Sequence, residues 1–451
     1  MTASLLFLLL LAGGDLTAAQ KALAAGKPQQ ALDLLGDLPD RDQPDPLALV
    51  VAGRAYLALK EYPAAVEPLL QASDALPEDR ALARDAAYAC WWSAQGPYAA
   101  LYLEDAKRMA RRAGDPLLSA DLAFASGEFD RALDLYSKVA NALASRLRVL
   151  MRRAECLERL DRAAEAQDVY AQALEIALQS RDLSTAYRAA FAGGRAGRLL
   201  SWLDARIAAK GEGEIEYRRY RGYARAARFM YAEAAQDLQR VVKARPADVD
   251  ARYEYLVCLL QLGARKQDPG LLRDAEAQGR RILEAQPGHR DTWTRMSWLA
   301  GYHWANGDTA GAYEVLHFLH GIDPEAIDTG LNFAAMARRL GHYEEARATY
   351  AKLLEISPDD PDVLNDQAIL IDGLGDRARA VEIWKRVLAE EPRNLDALEN
   401  LFTAAWERGD ETACRLYLAR GLEAARTPGG PLERWLWFQD RLRWAPQGFR
   451  G

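Results

Sequence analysis

Cysteine and histidine are scarce, with four and five copies among 451 residues, and that removes several kinds of chemistry together. Cys90, Cys156, Cys258 and Cys414 stand far apart, so no cysteine-rich zinc pattern exists. A glycine-rich phosphate loop and a nucleophile elbow are also missing, and no cofactor is expected. No stretch alternates β-branched residues between turn signals, which argues against a sheet. Neither charge sign dominates: 65 acidic and 58 basic side chains leave a net charge of -7, which gives no electrostatic reason to expect nucleic acid as a partner. Long apolar runs are absent too. The most apolar segment, Leu5 to Leu11, is too short to span a bilayer, so no transmembrane span is expected in the mature chain.

That segment and the small residues after it, MTASLLFLLLLAGG, read as a signal peptide over residues 1–14. Cleavage after Gly14 puts Ala12 and Gly14 at the positions a signal peptidase requires and leaves Asp15, a residue suited to cap a helix, at the new N-terminus. The segment lacks Lys and Arg, so a cytosolic chain with an uncleaved apolar N-terminus is the alternative. No cysteine follows the run closely enough for a lipid anchor.

What is present is Ala, Leu, Arg and Glu, half the residues hydrophobic, and a pattern that recurs every 34 residues. Ala334, Gly341, Ala346, Tyr350 and Pro358 are followed, one period on, by Ala368, Gly375, Ala380, Trp384 and Pro392. Small residues at two of these positions let antiparallel helices approach, a large one fills the gap between them, and proline ends the second helix. In this spacing the chain resembles the tetratricopeptide repeat (TPR) family. The resemblance implies an all-α solenoid, a right-handed superhelix of helix-turn-helix units. Extended both ways, the pattern gives about twelve units over residues 15–428, beginning near 12, 46, 80, 113, 147, 181, 215, 249, 290, 327, 361 and 395, those at 80 and 181 degenerate. The unit at 249 carries an insertion, GARKQDPGLL, expected between its helices, and the unit at 290 lengthens its first helix by about a turn. Asp250, Asp291, Asp328, Asp362 and Asp396 hold the second position of the last five units, where a carboxylate is expected to accept the free N–H groups of the first turn. Residues 429–451 leave the pattern. Leu432 to Trp444 reads as an amphipathic capping helix that buries Trp435, Leu436 and Phe438. Cysteines several repeats apart on such an array cannot meet, and they are expected to be buried and free.

The resemblance further implies a protein or peptide ligand in a concave groove lined by the first helices, and a non-enzymatic scaffold or adaptor, which the apolar leader would place in the bacterial cell envelope. A scaffold component of a polysaccharide secretion system is an alternative, as is a cytosolic adaptor. Three groove zones follow. The first is apolar, with Val50, Val51, Arg54 and Leu57; the middle is basic and aromatic, with Arg148, Arg152, Arg159, Arg219, Tyr220, Tyr223 and Tyr253; the last is polar, with Arg295, Trp298, Asn332, Arg338, Asn365, Asp366, Asp372, Asn400 and Trp406. Asn332, Asp366 and Asn400 share one position in successive units and offer donors and acceptors to a peptide backbone. Arg and Tyr near residue 220 suit an anionic peptide or a sugar ring, with peptide favoured, whereas Tyr217 and Phe229 of the same stretch are assigned to packing. Glu314, His317 and His320, with His303 on the partner helix, form the one metal-like constellation; half-buried side chains without metal are the expected reading, and a metal-dependent hydrolase the remote one.

Overall fold

The computed structural model describes residues 15–37, 39, 44–94, 99–139, 143–209, 213–426 and 431–443. The expected leader, residues 1–14, and the tail after Arg443 lie outside the described residues. Among those described there are 25 α-helices and no strand. They pair into twelve hairpins and leave one helix over: α1 Leu16–Ala24 with α2 Pro28–Leu35, α3 Pro46–Leu59 with α4 Tyr62–Ala75, α5 Arg80–Ser93 with α6 Ala99–Ala113, α7 Pro116–Ala125 with α8 Phe129–Lys138, α9 Leu143–Arg159 with α10 Ala163–Ser180, and α11 Leu183–Ala192 with α12 Ala196–Ala208. Then come α13 Glu214–Ala226 with α14 Tyr231–Ala244, α15 Val249–Lys266 with α16 Pro269–Ala285, α17 Arg290–Ala305 with α18 Thr309–Ile322, α19 Ile327–Leu340 with α20 Tyr343–Ile356, α21 Pro361–Gly373 with α22 Arg377–Glu390, α23 Leu395–Glu407 with α24 Glu411–Ala425, and finally α25 Leu432–Arg443. The number and register of hairpins follow the sequence pattern.

The chain divides into two compact units, Met1–Lys210 and Gly211–Gly451. A continuous repeat register gives no signal of such a division; its only local mark is the Lys-Gly-Glu-Gly stretch between α12 and α13, after the degenerate hairpin. The first unit holds α1–α12 and the second α13–α25.

Inside each unit one packing device repeats. Gly53 on α3 faces Leu69, the eighth residue of α4, and Gly222 on α13 faces Leu238, the eighth of α14; an added Cβ would lie 2.4 Å and 2.7 Å from those leucines. Ala334 and Ala368 do the same service beside Tyr350 and Trp384, and all four are buried. The small residue sets the distance between the two helices, and the large one fills the space between them. First helices also adjoin first helices of neighbouring hairpins, α1 with α3 and α3 with α5 in the first unit, α19 with α21 and α21 with α23 in the second. In the second unit α13 with α15 and α15 with α17 adjoin likewise, so the first helices stand in rows of three.

Most first helices are capped by a side chain, but not by the row of aspartates expected to do it, and α19 has Ala326 at its cap and no side-chain bond there. Those five occupy the second helical position, where they complement the helix dipole, and the accepting side chain sits two residues earlier: Asp248 takes Ala251 N–H, Asp360 takes Val363 N–H and Asn394 takes Ala397 N–H. Asp15 caps α1 as expected, accepting from Ala18 N–H at 2.9 Å, and its own amide donates to the Leu34 carbonyl. The insertion at 249 forms no loop. It is absorbed into longer helices, 18 residues in α15 and 17 in α16, with Gln267 turning the corner and Asp268 capping the next helix.

Among the described residues, eleven turns between paired helices each hold one residue at positive φ, and seven of them place glycine there, Gly341, Gly375 and Gly409 among them. In the α13–α14 hairpin the residue is Phe229, at φ 62° and 74% exposed, which corrects its assignment to packing. Its partner in that assignment, Tyr217, is buried. A bulky residue in the left-handed region costs roughly 1–2 kcal/mol. Phe229→Gly is therefore expected to stabilise the second unit by about 1 kcal/mol, read as a higher urea midpoint at unchanged slope.

At the C-terminus α25 lies on α24. Trp435 and Phe438 are buried, and Gly421 provides the seat: a Cβ there would stand 2.1 Å from the Trp435 ring. Leu436, expected on that face, is exposed together with Trp437, because the helix turns them about a third of a revolution away from Trp435 and Phe438. The four cysteines are free and buried, and burial pushes the thiols of Cys90 and Cys258 up to about 12.

Candidate functional site

A first-helix row is built from short segments that expose every third or fourth residue away from the partner helix. The residues singled out above fall on such helices, and the structure brings some together and commits others to packing. Val50 and Val51 of the apolar zone are core residues of α3. Arg54 beside them pairs with Asp85 at 2.7 Å. In α9, Arg148 bridges Asp121, Arg152 pairs with Glu155 at 2.8 Å and lies over the Phe124 ring at 4.6 Å, and Arg159 is exposed.

The aromatic and basic zone of the second unit is a closed network. Arg219 donates to the Tyr223 hydroxyl at 2.9 Å and stands 3.3 Å from Glu216, 3.2 Å from Asp248 and 3.3 Å from Asp250. Tyr220 and Tyr223 meet edge to face with centroids 5.8 Å apart. The carboxylates on the neighbouring helix already neutralise Arg219, so this zone offers no spare cation to an anionic peptide. Tyr253 continues the row with its ring 5.5 Å from that of His289, and Arg295 reaches its hydroxyl at 3.5 Å. Trp298 of α17 is 42% exposed and rests 5.5 Å from the Tyr302 ring.

The last zone is different, because its polar groups are only partly satisfied. Asn332 turns back on α19, donating to the Asp328 carbonyl at 2.8 Å. Asn400 of α23 donates to Asn365 of α21 at 2.9 Å, a bond that ties two neighbouring first helices across the row. Asp366, next to Asn365, is half-buried and takes part in no ion pair among the described residues; burial raises its pKa, and Asp362 and Asp396 raise it further against the pull of Arg338. Asp372 is bound by Arg377 at 2.7 Å, and Trp406 lies 4.9 Å beneath Arg441 of α25.

The clearest residue missed by sequence reasoning is Tyr350. The eighth residue of the second helix is tyrosine in three hairpins. In two of them the hydroxyl donates to a carboxylate on its own first helix, Tyr136 to Asp121 at 2.6 Å and Tyr170 to Glu158 at 2.9 Å. In the third, the position held by Glu158 is Arg338, and the fully buried Tyr350 hydroxyl has no hydrogen-bond partner; nor has the buried Nε of Arg338. Comparing the twelfth position of each repeat would have shown this charge reversal. The same substitution should therefore behave in two ways. Tyr136→Phe is expected to cost about 1–2 kcal/mol, since it takes a bond from the buried Asp121, whereas Tyr350→Phe should be neutral or stabilising, as measured by urea unfolding of each variant.

The histidines go to separate structural tasks. His303 pairs with Asp308 at 2.7 Å, His317 stacks on Tyr313, and His320 stacks on Phe333 with its pKa lowered by burial. Among the described residues no group of three or more His, Cys, Asp or Glu side chains could hold a metal ion, and no helix is long and apolar enough to cross a membrane.

Comparison with known proteins agrees with the hairpins. Two tetratricopeptide-repeat family models match, one over residues 16–80 and 221–289, the other over residues 303–368. Similar solved structures include MamA, at 16% identity over 36% of this chain and 92% of that one, with a TM-score of 0.29. A tetratricopeptide repeat protein from Parabacteroides merdae gives 12% identity, 61% and 98% coverage and a TM-score of 0.30. The APC/C hetero-tetramer Cut9-Hcn1 gives 15%, 94% and 81%, and 0.36. None of the curated proteins matches.

Proposed function

Because the chain is a tetratricopeptide-repeat protein, we propose that it works without turnover, as a scaffold or adaptor that holds a partner protein against the first-helix row of its hairpins after export to the bacterial cell envelope. The observation that supports this most is the cross-row polar set of Asp366 and Asn400, with Asn332 beside it; Asn365, expected in the groove, is buried and anchors Asn400 instead. Amides and carboxylates held on neighbouring rigid helices give an extended segment main-chain partners without demanding its sequence. Helices, not loops, carry these groups, so recognition comes from shape and fixed donors, with no reacting group required. Export rests on the apolar leader and on Asp15, which caps α1 at the point where cleavage would leave it.

The test compares capture from native extract by the wild-type chain and by a variant with Asn332, Asp366 and Asn400 changed to Ala, with captured proteins identified by mass spectrometry. A partner held by the wild type and lost by the variant is the expected result. The same partner held equally by both would remove this row from the reading. Intact mass of the protein recovered from its host should correspond to a chain beginning at Asp15; a full-length mass would place it in the cytosol.

A further inference from the structure

The unsatisfied groups of the last zone lie together in the second unit, on and beneath α19, α21 and α23. Asp328, Asp362 and Asp396 open these three helices, and Asp366 stands one turn inside α21. None of the four carboxylates is ion-paired among the described residues, and the burial that raises Asp362 is reinforced by Asp360, Asp396, Glu391 and Asp328. An acidic row at helix starts is by itself no more than dipole complementation. Asp366 is not at a helix start, and the buried Tyr350 hydroxyl lies close enough to feel the charges of Asp366 and Arg338 yet makes no hydrogen bond of ordinary geometry with either. Buried polar groups are ordinarily satisfied, and the two equivalent tyrosines are. Beneath this row the eighth residues of two successive second helices, Tyr350 and Trp384, thus keep a buried polar atom without a hydrogen bond, whereas Tyr136 and Tyr170 do not. Arg339, the next basic residue, is occupied 4.4 Å over the Trp304 ring.

We propose that the first-helix face of α19, α21 and α23 receives an extended partner segment bearing lysine or arginine, one cationic side chain seating between Asp366, Asp362 and Asp396 while a main-chain carbonyl accepts from the Arg338 guanidinium. Four carboxylates against the single available arginine fix the sign of the ligand. Exposed Trp298, on the first helix of the preceding hairpin, offers a ring face for a second cation. An acidic segment would meet like charge along the whole row, and an uncharged one would leave Asp366 half-buried with no ion pair, only the pull of Arg338 and Arg339 to offset it. This inference rests on the scaffold reading above and adds to it the chemistry of the partner.

The experiment is fluorescence anisotropy on the full chain with three labelled twelve-residue peptides of Ser and Ala, carrying four Lys, four Glu or no charge. The lysine peptide is expected to bind at least about tenfold more tightly than the other two, and to weaken as salt is raised. Asp366→Asn should lower its affinity by about tenfold while leaving the melting temperature unchanged or higher, since the half-buried carboxylate makes no ion pair in the free protein and burial outweighs the pull of Arg338 on it. Asp359→Asn, which removes an exposed acid bound to Arg386, is the control and should change nothing. Equal binding of the glutamate or uncharged peptide, or an Asp366→Asn variant that binds as the wild type does, would overturn the cationic assignment and leave the scaffold reading standing. Failure of all three peptides would overturn it as well, and capture from extract would decide the scaffold reading separately.

Discussion

Asp237→Ala is expected to destabilise the second unit by about 3–5 kcal/mol, the largest effect of any single polar substitution in the protein. Asp237 on α14 is almost wholly buried and binds three arginines of α13: Arg221 through both oxygens at 2.6 and 2.7 Å, Arg225 at 2.7 Å and Arg218 at 3.1 Å. Those arginines are themselves only 12–18% exposed, so removing the one carboxylate would leave three neighbouring guanidinium groups poorly solvated and mutually repelling. Glu214, bonded to Arg218, lies at the edge and cannot replace it. Asp237→Asn should cost less, because the amide oxygen still accepts. Hydrogen exchange over residues 214–244 distinguishes the cases: Ala should free these amides, and an unchanged exchange pattern would show that the arginines find other partners.

Trp435→Ala is expected to cost about 3–5 kcal/mol, confined to the C-terminal end of the second unit. The ring sits on Gly421, packed with Phe438 and, through it, Phe402, and its loss would open a cavity between α24 and α25. In a repeat array each element is held mainly by its neighbours. The damage should thus appear as lost amide protection in α23–α25, with hairpins α13–α14 and α15–α16 keeping theirs. A loss spread evenly through the second unit would contradict nearest-neighbour packing, and no loss would mean that α25 does not cap the array. Gly421→Ala should act in the same direction, since the Trp435 ring would have to move.

The repeat was legible because its packing pair recurs. Small residues such as Gly53, Gly222, Ala334 and Ala368 pair with a large eighth residue of the second helix in the regular hairpins, so spacing locates them, whereas in α15–α16 the close contact is Gly263 with Leu272 instead. Capping was half legible. An Asp in the first turn of each of the last five first helices marks a helix start, yet whether it sits at the cap or two residues inside depends on backbone angles that the spacing does not carry. Phe229 was misassigned for a similar reason. Apolarity suggests burial, but the turn places that residue at positive φ, where its side chain points outward.

The candidate site was legible as a row and not as a set of free groups. Position within the repeat puts Arg219, Tyr223, Asn365 and Asn400 on first helices, as found. Which are already bonded depends on side chains from the neighbouring hairpin, as when Asp248 and Asp250 take Arg219, or Asn400 takes Asn365. The division at Lys210 escaped altogether, because the repeat register runs on past it.

The most direct measurement is site-specific photo-cross-linking in native extract, with the photoreactive residue placed at Trp298 or Asn332 on first helices, and at Ile356 or Leu416 on second helices. Trp298, Ile356 and Leu416 are each more than 40% exposed, and Asn332 is exposed too, so accessibility does not bias the comparison. A scaffold that binds through its first-helix row should give one partner adduct from positions 298 and 332 and none from 356 and 416. Adducts from the second-helix positions alone would contradict it and move the binding surface to the opposite face of the hairpins.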